Sequence, residues 1–137
     1  MPTFSKSSAD KLATCDERLQ RLFNEVIKYT DCTVVCGTRN KEAQEAAFEA
    51  GNSKVHWPNS QHNSLPSLAA DVVPYPIDWY DVERFKAFSM LVLDCATKLG
   101  IEVEWGGNWT HGFVDYPHWQ VKKLEDPTSG IAASLVT

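Results

Sequence analysis

Two short segments carry most of the chemistry in this sequence. Ser60 to Asp71 reads SQHNSLPSLAAD, and Asp115 to His118 reads DYPH. Together they offer two histidines and two carboxylates in an order that suits a catalytic zinc ion. Such an ion takes three protein ligands and leaves a fourth position for water. A further carboxylate beside that water can serve as general base. On this reading His62, Asp71 and His118 hold the metal and Asp115 is the base.

The residue types suit the task. Imidazole nitrogen and carboxylate oxygen both bind zinc at roughly 2.0–2.2 Å. Asp71 follows Leu68, Ala69 and Ala70 in an apolar run. A carboxylate there is costly to bury unless something pairs with it, and a cation would. Spacing alone leaves two plainer readings open: histidines that only satisfy buried hydrogen bonds, and an aspartate that caps a strand end. None of these patterns is as specific as a helical HExxH or paired CxxC. His56 and His111 sit in polar loops and read as non-ligands, with His111 placed to touch substrate or shuttle protons. Ser60 reads as hydrogen-bonding support, because no Gly-x-Ser-x-Gly elbow surrounds it.

These residues must be positioned by regular elements. Ser7 or Ser8 can cap a first helix, with Leu12, Cys15, Leu19, Leu22, Phe23, Val26 and Ile27 at helical spacing. Thr33 to Cys36 is a short β-branched strand ending at Gly37. Asn40 can cap a helix over Lys41 to Ala50, which Gly51 stops. Asn52 to Pro66 is a long polar loop, a length often tied to function. Leu68 to Val73 is a strand, and Asp78 opens a helical region that runs to Gly100. Ile101 to Trp105 and His118 to Val121 are strands separated by a loop over Asn108 to Pro117. Early helices with strands around the site predict a compact α+β fold.

Composition narrows the class. The 137 residues are most simply one domain, 1–137. A net charge of -5 shows no broad basic surface for nucleic acid or anionic lipid. No stretch has signal-peptide character, and none approaches a membrane span. The expected site of synthesis is therefore the cytoplasm. Cys15, Cys32, Cys36 and Cys95 are scattered, as reduced thiols are, and predict no role in the chemistry.

The chain resembles the zinc D-alanyl-D-alanine carboxypeptidase and L-alanyl-D-glutamate endopeptidase family, most of all its short phage endolysin branch. The resemblance rests on S-x-H at Ser60 and His62, A-x-D at Ala69 and Asp71, and D-x-x-H at Asp115 and His118 with Trp119. Gly37-Thr38-Arg39, the segment Pro74 to Trp79 and Trp105 to Trp109 add to it. Two departures are a longer gap carrying Leu65-Pro66-Ser67, and Asn108 where the family often has aspartate. The resemblance implies an antiparallel sheet carrying one zinc, with helices packed on it, as in hedgehog-like and D-Ala-D-Ala peptidase-like folds. It implies an active-site Arg39 that stabilises an oxyanion or grips a substrate carboxylate. Ser60, Trp109 and His111 become supporting or substrate-binding residues. The implied activity is hydrolysis of the L-alanyl-D-glutamate bond in peptidoglycan stem peptides by a monomeric lysis enzyme, released through a separate pore-forming protein. D-alanyl-D-alanine carboxypeptidase activity, or a non-catalytic zinc module, are the alternatives.

Overall fold

The sheet that carries the site is built by pairing distant segments. The computed structural model describes residues 2–110 and 114–124. Its strands are β1 (Cys32–Cys36), β2 (Ala69–Pro74), β3 (Glu104–Trp105) and β4 (His118–Gln120), all antiparallel in the order β1-β2-β4-β3. The helices are α1 (Lys6–Leu12), α2 (Glu17–Val26), α3 (Lys41–Glu49) and α4 (Val82–Leu99). This is the expected α+β architecture.

Period-two alternation divides the sheet into a core face and a site face. Ala70, Val72 and Trp119 point into one hydrophobic cluster with Leu19, Leu22 and Phe23 of α2 and Phe88 and Val92 of α4. Trp119 is fully buried, stacked on Trp105 at 5.9 Å and edge-on to Phe23 at 6.4 Å. Asp71, His118 and Gln120 alternate with these residues, so their side chains face the other way. The core thus fixes the sheet while leaving its polar face available.

The first helical stretch corrects the sequence reading, which ran one helix from Ser7 or Ser8 to Ile27. It is broken into α1 and α2 around Cys15 and Asp16. Here the Asp16 N–H donates to the Ser67 carbonyl at 2.8 Å, and the Ser67 N–H donates to the Thr14 carbonyl at 2.8 Å. The backbone is spent on docking the segment that leads into β2. Asp16 restarts the helix as N-cap, accepting from the Arg18 N–H at 2.9 Å and holding the Arg18 guanidinium with both oxygens. The cap of α1 is Ser5, and buried Ser8 instead accepts from the Val34 N–H, tying α1 to β1. Two further boundaries move. α4 begins at Val82 behind an Asp81 cap, and the strand expected over Ile101 to Trp105 pairs only at Glu104–Trp105.

Asp16 serves as cap and ion-pair partner together. Its hydrogen bond to Arg18 is the main influence holding its carboxyl below the usual range. A depressed carboxyl contributes stability above its unfolded pKa, and that contribution fades as pH falls through the folded value. Asp16→Ala is expected to cost about 1 kcal/mol in denaturant unfolding at neutral pH. The difference from wild type should shrink in acid, and an unchanged gap there would remove the charge from the account.

Candidate metal centre

Strand register assembles the site before any side chain is considered. Asp71 pairs with Cys36 of β1 on one side and with His118 of β4 on the other. His62 arrives from outside the sheet, on a 3-10 turn over Gln61–Asn63. Ser60 caps this turn, its hydroxyl accepting from the His62 N–H, while the Asn63 side chain accepts from the Ser60 N–H at 2.9 Å. The turn is bonded to the strand end, since the Arg39 N–H donates to the His62 carbonyl at 2.7 Å. Local capping and one long-range backbone bond therefore set where the imidazole points.

Asp71 Oδ1 lies 3.4 Å from His62 Nε2 and 3.4 Å from His118 Nδ1. The outer nitrogens decide the tautomers. His62 Nδ1 is 2.8 Å from the Gly37 carbonyl, which can only accept, so Nδ1 carries the proton. His118 Nε2 is 2.7 Å from Gln120 Oε1, with the same consequence. In the neutral form of each ring the inner nitrogen then presents its lone pair to a carboxylate oxygen. Three buried side-chain atoms among the described residues lack a hydrogen-bond partner: His62 Nε2, Asp71 Oδ1 and the core-facing Trp119 Nε1. The first two face each other. Two buried acceptors in that position cost roughly 1–3 kcal/mol each unless a proton or a metal cation lies between them.

Without a metal, a proton on His62 meets the same demand for positive charge. Burial alone would depress the His62 imidazole, yet Asp71, and then Cys36, raise it to about 10. Burial would raise the Asp71 carboxyl, yet His118 and His62 hold it far below the usual range. The pocket favours positive charge at its centre. Two imidazole nitrogens and one carboxylate oxygen match the donor chemistry of a catalytic zinc site, so the residues present fit such an ion.

Asp115 stands beside this set, its Oδ2 3.7 Å from His118 Nδ1. Burial first, and the charge of Asp71 second, push its carboxyl up to about 6. Its backbone is pinned by an N–H bond to the Gly106 carbonyl at 3.0 Å. A Cβ at Gly106 would run into the Asp115 carbonyl and crowd the His118 Cβ, so only glycine permits this approach. Arg39 completes the cluster, with Nη2 3.6 Å from Asp71 Oδ2 and Nη1 donating to Gln44 Oε1 at 2.9 Å.

The structure thus brings Arg39, His62, Asp71, Asp115 and His118 together. They line a cleft of about 870 Å³ that also includes Trp79 and Trp109, the latter ring 5.0 Å from His118. His56 is directed elsewhere, bonded to Glu45 at 2.7 Å and stacked on Phe48. His111 lies outside the described residues. Several participants escaped the sequence reading. Gln44 is fully buried with both amide ends satisfied, accepting from Arg39 and Asn63 and donating to Ser53 and Val55. Cys36 Sγ is 3.7 Å from His62 Nδ1 and 3.5 Å from Arg39 Nη2. With Nδ1 committed to Gly37, the thiol approaches the outer side of the imidazole. Burial would raise this thiol, but His62 and Arg39 reverse the effect and lower it. The signals for Gln44 and Gln120 were spacing: five residues past Arg39, and two past His118 on a strand.

Fold and cluster define a class, a small α+β domain whose sheet carries a candidate metal centre for hydrolysis. The comparisons narrow it. A sequence model of the phage L-alanyl-D-glutamate peptidase family matches residues 2–127. The L-alanyl-D-glutamate peptidase of Escherichia phage T5 is 30% identical over 125 residues, covering 88% of this chain and 89% of that protein. The crystal structure of the Serratia marcescens L-Ala D-Glu endopeptidase ChiX superposes with a TM-score of 0.73 at 28% identity, over 88% of this chain and 90% of that one. The chain belongs to the phage L-alanyl-D-glutamate peptidase family, and the implied enzyme class, a peptidase, is that of the family.

The Gly106 contact generates a test. Gly106→Ala must move Asp115 away from the cluster. Displacements near 1 Å can cost ~10²-fold in rate. Cell-wall hydrolysis should fall on that order, and near-normal turnover in a folded variant would show that the close approach is dispensable.

Proposed function

We propose that this protein is a zinc-dependent endopeptidase that cuts the L-alanyl-D-glutamate bond of peptidoglycan stem peptides. One zinc per chain is held by His62 through Nε2, Asp71 through its carboxylate and His118 through Nδ1. The observation that carries this is the pair of buried, unpartnered atoms, His62 Nε2 and Asp71 Oδ1, aimed at one point. Family membership supports the bond. When bound, zinc lowers the pKa of water towards neutrality and polarises a carbonyl.

The chain's own residues do the rest. Asp115 takes the proton of the attacking water and later returns it to the leaving amine. A carboxyl lifted towards neutrality suits both tasks. Arg39 offers its planar donors to the oxyanion, and Gln44 prevents the guanidinium from swinging away. Trp79 and Trp109 flank the cleft where the stem peptide lies. We further propose that residues 1–137 act as one monomeric domain without nucleic acid or membrane insertion. Among the described residues no helix is long and apolar enough to cross a membrane. As a phage lysis enzyme it would wait in the producing cell's cytoplasm until a separate protein opens a pore.

Incubation with purified cell wall, followed by mass spectrometry of new amino termini, tests the bond. A new D-glutamate or isoglutamine amine is expected. Free D-alanine would mean a carboxypeptidase, and no product would mean a binding module.

The role of Asp115 is tested separately. Asp115→Asn keeps the side chain's shape but cannot accept a proton at neutral pH. It should retain zinc and melting temperature while turnover falls by roughly 10²–10⁴-fold. Loss of zinc in step with activity would make Asp115 a ligand and displace Asp71 from that role.

A further inference from the structure

His62 and His118 have their outer nitrogens held in different ways. For His62 the acceptor is a backbone carbonyl, that of Gly37, which no side-chain change can remove. For His118 the acceptor is a side-chain amide that could in principle turn over. A Gln amide presenting its NH2 to His118 Nε2 would call for a lone pair there and put the proton on Nδ1. That proton would occupy the position aimed at Asp71 and Asp115. Something must therefore settle which end of Gln120 faces the ring.

Glu104 does so. The Gln120 side chain donates through Nε2 to Glu104 Oε2 at 2.7 Å, and its Oε1 lies 2.7 Å from His118 Nε2. An ionised carboxylate only accepts, so the amide NH2 must face Glu104 and its oxygen must face the imidazole. Register explains the alignment. Gln120 is paired with Glu104 on β3, and His118 lies two residues earlier on the same face of β4. The charge on Glu104 is thus read, through one amide, as a proton position on His118.

We propose that Gln120 and Glu104 are positioning residues that hold His118 in its Nε2–H tautomer and so prepare Nδ1 to bind the metal. The inference rests on the reading that His118 is a zinc ligand. Gln120 borders the cleft, but both ends of its amide are engaged by His118 and Glu104. Outer partners of this kind orient ligating imidazoles, and losing one typically weakens metal binding by 10–100-fold.

The measurement is zinc affinity by competition with a chelator, on full-length protein, beside thermal melting. Gln120→Met, close in shape but without an acceptor, should bind zinc roughly 10–100-fold more weakly. Glu104→Gln alters only an exposed side chain and should also weaken binding, because it frees the amide to turn. The informative variant exchanges the groups, Gln120→Glu with Glu104→Gln. The carboxylate then accepts from His118 and the amide donates to the carboxylate, so the polarity is kept. Affinity should return close to wild type, which a merely structural role does not predict. Wild-type affinity in both single variants, or no recovery in the exchange, would overturn the relay. His118→Ala separates the two readings. If it loses zinc while the single variants do not, the relay alone fails. If it keeps zinc, the ligand assignment fails and the relay with it.

Discussion

One cross-strand alignment governs the site: Asp71 on β2 opposite both Cys36 and His118. Side chains alternate with a period of two, so a slip of one residue would send Asp71 into the hydrophobic cluster and Ala70 to the cleft. Burial of an unpaired carboxylate among Leu, Phe and Trp side chains would be prohibitive. The core therefore enforces the register that chemistry needs. Trp119 locks the same register from behind, wedged between Trp105 and Phe23 while its neighbours His118 and Gln120 face the other side.

Two carboxylates a few ångströms from the same imidazole are driven in opposite directions. Asp71 is surrounded by His62, His118 and Arg39 and stays ionised. Asp115 is half-buried beside the negative charge of Asp71 and is pushed the other way. This split suits the two roles proposed above, a permanently charged ligand at Asp71 and a proton carrier at Asp115. The glycine at 106 and the turn at Tyr116-Pro117 supply the close backbone path that makes this proximity attainable.

Much of this was legible in the sequence, for identifiable reasons. His62, Asp71, Asp115 and His118 were marked by type and order, Arg39 only by the family resemblance, and α3 by an Asn40 cap and Gly51 stop. β2 was marked by its apolar run. The break at Asp16 was not legible, because apolar spacing continues smoothly through it while the cause lies at Ser67. Gln44 looked like one more polar helix residue, since only the folded loop reveals that it is enclosed. Cys36 was placed correctly on its strand, but its neighbour His62 comes from an irregular turn that no periodicity predicts. Glu104 became visible only through β3–β4 pairing. What the sequence hid was the set of partners supplied by distant segments.

Gln44 has a consequence for how such enzymes diversify. It holds the loop after α3 through the Ser53 hydroxyl and the Val55 carbonyl, and passes the anchorage on to Arg39 and Asn63. Val55 takes part through its backbone alone, so its side chain is not committed to that junction. Residues of this loop line the cleft. The exposed side chains of this cleft wall can therefore change while the cluster stays in register. The amide works as a socket, into which loops of different character can be plugged.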